Sequence, residues 1–165
     1  LSLVLPMGLA AAEARVLEAE SFQFAGGWAV VRDAACSGTR LLQANPDARR
    51  GGRLHDAVTA LAVDEAGEYR FWARARDFAQ DRPGVRRFRL LVDGAPLERE
   101  AGNHGQEGFA WQLLGARALA AGPHLLALRD TTGGFGRCDA LYITRGDGSP
   151  ERLSPVQLAR RRVKP

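Results

Sequence analysis

The chain reads as an antiparallel β-sandwich, and three observations predict it. Apolar residues alternate in twos along most of the sequence instead of recurring every three or four residues. Turn-forming pairs break the alternation at Gly26-Gly27, Asn45-Pro46, Gly51-Gly52, Gly122-Pro123 and Gly133-Gly134. The runs between them are short and number about ten, with little helical pattern, which is the sequence signature of an all-β sandwich.

The first strand is expected over 15–20, followed by 28–32, 39–43 and 57–63. The clearest is 67–76. There Tyr69, Phe71, Ala73 and Ala75 share one face while Arg70, Trp72, Arg74 and Arg76 share the other, the mark of a strand with one buried side. In 87–92 the residues Phe88, Leu90 and Val92 point inward. Asp93-Gly94 follows, a two-residue hairpin signal because both positions tolerate positive φ. Strands over 95–100, 109–114, 124–129 and 139–144 complete the set.

The two ends depart from this pattern. Residues 1–9 are apolar and are followed by small residues, with Ala10 and Ala12, or Ala12 and Ala14, at small-x-small spacing. Residues 1–14 therefore read as the remainder of an export signal, or else as an apolar strand or a linker. The sandwich is expected over 15–146. Residues 147–165 have Pro, Gly, Ser and charge in place of alternation, the composition of a linker or tail with a short helix near 156–162, leading to a further domain.

Composition and charge remove several functions. At 45% hydrophobic and 25% charged the chain is of ordinary globular make-up, which argues against disorder. No apolar run is long enough for a membrane-spanning helix, so no membrane partner is expected. The net charge of +4 comes from the tail residues Arg160, Arg161, Arg162 and Lys164; without them basic and acidic residues balance. A nucleic-acid partner, which needs positive charge on the folded surface, is not expected.

Catalytic signatures are missing as well. No Gly-rich loop ends in Lys-Ser/Thr, and Gly133-Gly134-Phe135-Gly136 lies between two strands, the wrong place for a dinucleotide fingerprint. His55, His104 and His124 are not at metal-ligand spacing, and no Ser occupies a nucleophile elbow. The domain is expected not to be an enzyme.

Two groups of residues do carry chemistry. Glu18 and Glu20 fall two apart on a strand with Val16, which puts both carboxylates on one face about 7 Å apart. They are either solvated or joined by a cation, and all-oxygen donors point to calcium. The second group is aromatic: Trp28, Trp72, Phe109 and Trp111 are platforms of the kind sugar C–H faces stack on, or else core residues. The polar loop 102–108, with His104, leads into Phe109 and Trp111, and Arg76 neighbours Trp72 in position to bind an acidic sugar or stack on a ring.

The stretches LEAESF (17–22), GGW (26–28), SGT (37–39), GEYRFWARARDF (67–78), LLVDGAPL (90–97), WQLLG (111–115), LAAGPHLLALRD (119–130) and RCDALYIT (137–144) resemble, in order and spacing, carbohydrate-binding modules of families 6 and 35. The resemblance spans nearly all of 15–144 and extends to related modules at the front of large secreted bacterial proteins. It implies a galactose-binding-like jelly-roll sandwich. It implies a structural calcium held by Glu18, Glu20 and Asp139 with carbonyls from 36–39. Because Cys36 and Cys138 each precede a residue of that site, it also implies a Cys36–Cys138 disulfide, which an exported protein would form. Trp111 becomes the foremost platform. At Arg137 such modules often carry Asn, a departure that points either to carboxylate or sulfate groups on the ligand or to a structural arginine.

The function so implied is a non-catalytic module, secreted or periplasmic, that targets a parent enzyme to a polysaccharide or oligosaccharide. The alternative is a sandwich that packs against a downstream domain of its own chain without binding sugar.

Overall fold

A computed structural model describes residues 14–165. The signal-like reading of residues 1–14 falls, except for Ala14, outside the described residues.

Two sheets carry the fold. The larger contains β1 (Ala14–Glu18), β2 (Trp28–Arg32), β3 (Arg40–Ala44), β5 (Gly67–Asp77), β8 (Gly108–Leu119), β10 (Arg137–Thr144) and β11 (Arg162–Val163). The smaller contains β4 (Ala57–Val63), β6 (Phe88–Val92), β7 (Ala95–Pro96) and β9 (Gly122–Asp130), in the order β4-β9-β6-β7. β10 is the hub of the larger sheet. It pairs with β1 and β3 on one edge and with β5 on the other, and β5 pairs with β8. Every pairing is antiparallel except the short parallel one between β1 and β11.

Alternation builds the core. Phe71, Ala73 and Ala75 of β5 meet Leu61, Phe88, Leu90, Leu126 and Leu128 of the smaller sheet, and all are buried in one cluster between the sheets. The alternating strand reading is thereby realised, and Arg74 and Arg76 take the opposite, outer face. The Asp93-Gly94 turn has φ of 50° and 83°, as the hairpin signal requires. The strand expected over 95–100 stops at Pro96. Beyond it the ladder is irregular: the Leu97 N–H donates to the Leu90 carbonyl at 2.9 Å, the Arg99 N–H crosses to the Leu114 carbonyl of β8 at 3.0 Å, and Ala101 bridges back to Phe88.

Two bulges set the outer face. On β8, Leu114 is the extra residue between the Phe71–Gly115 and Trp72–Leu113 pairs. It drops into the core, and Gly115 takes φ 149°. On β10, Asp139 is the extra residue between Cys138 and Ala140. A bulge re-aims side chains; here the Asp139 carboxylate meets Arg74 and the Ser37 N–H.

Residues 147–165, expected as a linker or tail, fold back on the sandwich instead. A 3-10 turn (Pro150–Arg152) leads to helix α1 (Pro155–Ala159), started by a capping box in which Ser154 and Gln157 satisfy each other's backbone N–H. β11 then pairs with β1, and the Val16 N–H donates to the Arg161 carbonyl at 2.8 Å. Leu153 and Leu158 pack on Val16, Ala140, Tyr142, Trp72 and Trp111 in a second, smaller apolar cluster. Composition hides this because two leucines and a two-residue strand do the anchoring.

Candidate functional site

The outer row of β5 organises the site. In register, Arg74 lies opposite Trp111 and Arg76 opposite Phe109 on β8. One step beyond Arg76 in the same alternation is Phe78. A continuous face therefore runs from Trp72 and Trp111, beneath the C-terminal strap, to Phe109 and Phe78 at the loop end of the sandwich.

At that end, guanidiniums surround aromatic rings. The Arg86, Arg76 and Arg137 guanidinium carbons lie 4.4, 4.6 and 5.2 Å from the Phe78 ring centroid. Arg86 is also 5.1 Å from Phe135, and Arg74 and Arg76 are 5.2 and 5.7 Å from Phe109. These are cation–π distances.

Two carboxylates hold the loops that carry these groups, Asp77 from a buried position and Asp130 from a half-buried one. Asp77, 1% exposed at the end of β5, accepts from the Gly84 N–H at 3.0 Å and the Gly105 N–H at 2.9 Å, tying down the loops on either side of the face. Asp130 accepts from the N–H groups of Gly134, Phe135 and Gly136 and so sets the Phe135 loop. His104, expected to reach the ligand, does not. Its Nε2 bonds the Ala75 carbonyl at 2.9 Å and its Nδ1 accepts from the Gln106 N–H at 3.2 Å, so both ring nitrogens are spent on pinning the loop.

The arginines at this end differ in their direct partners. Arg76 pairs with Asp33 at 3.0 Å, and Arg74 pairs with Asp139. Arg137 donates to the neutral Gln43 Oε1 at 2.9 Å, and Arg86 makes no ion pair among the described residues. Arg76 Nε, Arg86 Nε and Arg137 Nη1 are buried without a hydrogen-bond partner. Burial, reinforced by the charges of Arg86 and Arg76 and opposed by Asp33, lowers the Arg137 pKa to about 10. Burial and the charges of Arg76 and Arg82 lower that of Arg86.

The carboxylates lie on the same outer side, near the start of β10. Glu18 Oε1 accepts from Arg162 Nε at 2.6 Å and from Ser37 Oγ at 2.8 Å. Asp139 accepts from the Ser37 N–H at 3.0 Å and from Arg74. Glu20 sits in a 3-10 turn (Ala19–Ser21) just after β1, where alternation predicts a strand. Burial raises its pKa, opposed by its own backbone N–H, and the charges of Glu18 and Asp139 raise it further. Burial likewise raises Asp139 to about 6, against the Ser37 N–H and Arg74. One oxygen of each, Glu18 Oε2, Glu20 Oε2 and Asp139 Oδ1, is buried with no partner. Carboxylate oxygens are hard donors of the type calcium takes, and these are three of the six to eight it needs. As placed, no three acidic, His or Cys side chains among the described residues already converge on a single ion position.

Both cysteines are free thiols and buried, in place of the expected disulfide. Cys138 belongs to the core between the sheets, whereas Cys36 lies near the Asp139 carboxylate on the outer side, beside Arg74 and Trp111. The two lie in one neighbourhood but on opposite sides of β10.

The remaining expected ligand residues divide. Trp28 is a core residue, 4% exposed, meeting Phe88 edge to face at 5.7 Å, so it is not a surface platform. Its ring end lies against Gly136, where a Cβ would come within 2.9 Å. Trp72 is half-buried in the outer apolar cluster. Trp111 stands edge to face with Tyr142 at 6.2 Å and walls a cavity of about 330 Å³ with Cys36, Arg74, Pro155, Leu158 and Arg162. Arg76, Phe109 and Arg137 do come together at the loop end. Phe78, Arg86 and Phe135 join them unanticipated. Counting the β5 alternation one step further reaches Phe78; nothing in the sequence marks Arg86, which lies in a loop.

No family model and no curated protein matches the chain. Solved structures match its fold. A family 35 carbohydrate-binding module from Clostridium thermocellum is 20% identical with a TM-score of 0.61, over 79% of this chain and 98% of that one. A Podospora anserina β-(1,4)-mannanase of the GH26-CBM35 type is 16% identical at 0.63, over 84% of this chain but only 29% of that one. An exo-β-1,3-galactanase from Phanerochaete chrysosporium, solved with β-1,3-galactotriose, is 12% identical at 0.60, over 80% and 29%. The chain thus has the all-β sandwich fold of family 35 modules and spans less than a third of the two enzymes.

Proposed function

We propose that this domain is a non-catalytic carbohydrate-binding module that holds a secreted or periplasmic parent enzyme on a polysaccharide. The observation that carries the reading is the half-exposed loop-end face, where Phe78, Phe109 and Phe135 stand among guanidinium donors. A sugar needs both: flat C–H patches stack on rings, and hydroxyls accept from fixed N–H donors. The buried Asp77 and the half-buried Asp130 set the loops before any ligand arrives, which lowers the ordering cost of binding. The fold shared with family 35 modules supports the same reading. Tethering would raise the local substrate concentration seen by an attached catalytic domain.

Calcium belongs to the same proposal. Glu18, Glu20 and Asp139, each with a buried partnerless oxygen, would hold the ion once their carboxylates converge, and it would neutralise the trio and do no chemistry.

The test is a glycan panel run with the full chain and with Phe109→Ala. A selective hit weakened at least tenfold in the variant, with the melting temperature retained, is the expected result. A blank panel from folded protein overturns the reading in favour of a sandwich that packs against another domain.

A further inference from the structure

The strap that crosses the outer face has few anchors. Leu153 and Leu158 are only half-buried, helix α1 has five residues, and β11 matches β1 at two positions. Arg162 is the polar anchor. Its guanidinium donates from Nε to Glu18 Oε1 at 2.6 Å and from Nη2 to Ser37 Oγ at 2.8 Å, and Ser37 Oγ donates to the same Glu18 oxygen at 2.8 Å. Arg74, the other guanidinium at the carboxylate trio, is fixed differently. It belongs to β5, its Nη1 also donates to the Ala35 carbonyl at 3.0 Å, and it stacks over Phe109. Between strap and sheet lies the cavity of about 330 Å³, bounded by Ser37, Gly38, Trp111, Leu158 and Arg162, so packing is loose where Arg162 enters.

We propose that the strap is a latch released by calcium: Arg162 takes the place of the cation at Glu18 in the closed form, and gives way when calcium binds Glu18, Glu20 and Asp139, uncovering Trp72, Trp111 and Tyr142. The inference rests on the calcium reading of the trio. Two positive groups on one carboxylate repel each other, and the repulsion is little screened where the carboxylate is buried. The Glu18 side chain is 12% exposed and Asp139 is fully buried. The same contacts account for the spread of the trio. Arg162 and Arg74 each draw one carboxylate toward themselves, and Glu18 Oε2, Glu20 Oε2 and Asp139 Oδ1 are left without partners. Of the two guanidiniums, Arg162 is the one on a weakly held segment, and such segments open first. The cavity under the strap reaches Ser37 and Gly38, beside the Glu20 carboxylate, and offers the ion a way in. Linkage makes the coupling mutual: as much as calcium weakens the strap, the closed strap weakens calcium.

The test titrates calcium chloride into the full chain and into Arg162→Gln by calorimetry. Beside it, hydrogen exchange of the full chain is read at the Val16 amide, which donates to the Arg161 carbonyl of the strap. Arg162→Gln should bind calcium about tenfold more tightly than the unaltered chain. In the unaltered chain, saturating calcium should speed exchange at Val16 and trypsin cleavage at Arg160–Arg162 by roughly fivefold or more. Sodium chloride of equal ionic strength should do neither. Should Arg162→Gln fail to fold, the exchange measurement on the unaltered chain decides alone. Equal calcium affinity in the two chains, or Val16 protection that calcium leaves unchanged or increases, overturns the latch and keeps the calcium reading. Equal loosening by sodium chloride overturns it as well, because screening of the ion pair would then be the cause. Absence of calcium binding to either chain overturns both readings.

Discussion

Asp77 is the residue on which the loop-end face depends. Its carboxylate is buried and holds two loops through the backbone N–H groups of Gly84 and Gly105. Removing it orphans both donors in a dry site. Asp77→Ala should cost about 2–4 kcal/mol in urea denaturation, and any variant that still folds should lose glycan affinity with the loops. Unchanged stability would mean the loops are held some other way. The cysteines offer a second check. Burial and the neighbouring Asp139 and Asp33 charges push the Cys36 thiol up to about 12, and burial raises Cys138 as well. Neither should react with a thiol reagent at pH 8 in the folded protein, and both should react once unfolded. A crosslinked pair that stays silent after unfolding would restore the disulfide. At this scale the alternation of β5 and β8 is enough to place Arg76 and Phe109 on an outward face. It does not tell that Trp28 faces inward, because a tryptophan after two glycines fits a loop tip and a core position equally well. Nor does a period of two reach Arg86, which a loop delivers from outside the strand.

Among the elements, the β6–β7 hairpin is the one most completely written in local sequence. Asp93 adopts the positive φ of the turn, and its carboxylate accepts from the Leu125 N–H at 2.8 Å and bonds His124 Nδ1 at 2.6 Å, stapling the turn to β9. The hydrogen bond with His124 lowers the Asp93 pKa and, reciprocally, raises that of His124. A raised His contributes stability in full below its unfolded value near 6.5 and loses it as pH climbs through the folded one. A depressed Asp contributes above its unfolded value near 3.8 and loses it as pH falls through the folded one. The staple is therefore strongest between about pH 4 and 6.5. His124→Gln should remove a pH-dependent increment of less than about 1 kcal/mol there, Asp93 being half exposed, and flatten the stability profile. A profile that keeps its shape would show the pair to be idle. The strand expected over 95–100 ends early for a reason outside its own residues: between its bonds to β6 at Leu90 and Phe88, its backbone crosses to bond β8 at Leu114. Such crossings depend on where β8 lies, which no local pattern records.

For the molecule as a whole, the carboxylate trio joins the first strand, the Ser37 turn and the bulge of β10. Two arginines already meet it: Arg74 at Asp139, and Arg162 of the strap at Glu18. An added cation would compete with Arg162 for Glu18 while filling the partnerless oxygens. Millimolar calcium should raise the melting temperature over a chelator-treated sample. A concentration one hundred times the dissociation constant corresponds to about 2.7 kcal/mol. Glu20→Gln or Asp139→Asn should abolish the increment, and identical melting curves with calcium and with chelator would remove calcium from the proposal. The gathering of the trio follows from family resemblance, whereas the arrival of Arg162 does not, since its segment has the composition of a linker. The strap also guards an edge. Strand β1 would otherwise end the larger sheet with open N–H and C=O groups, a template for a strand from another molecule. By pairing with Val16 and Leu17, β11 closes that edge along part of its length. A chain cut after Ser149 should therefore self-associate in sedimentation, while the intact chain stays monomeric at the same concentration. On this view the last residues keep copies of the protein from adding to one another strand by strand.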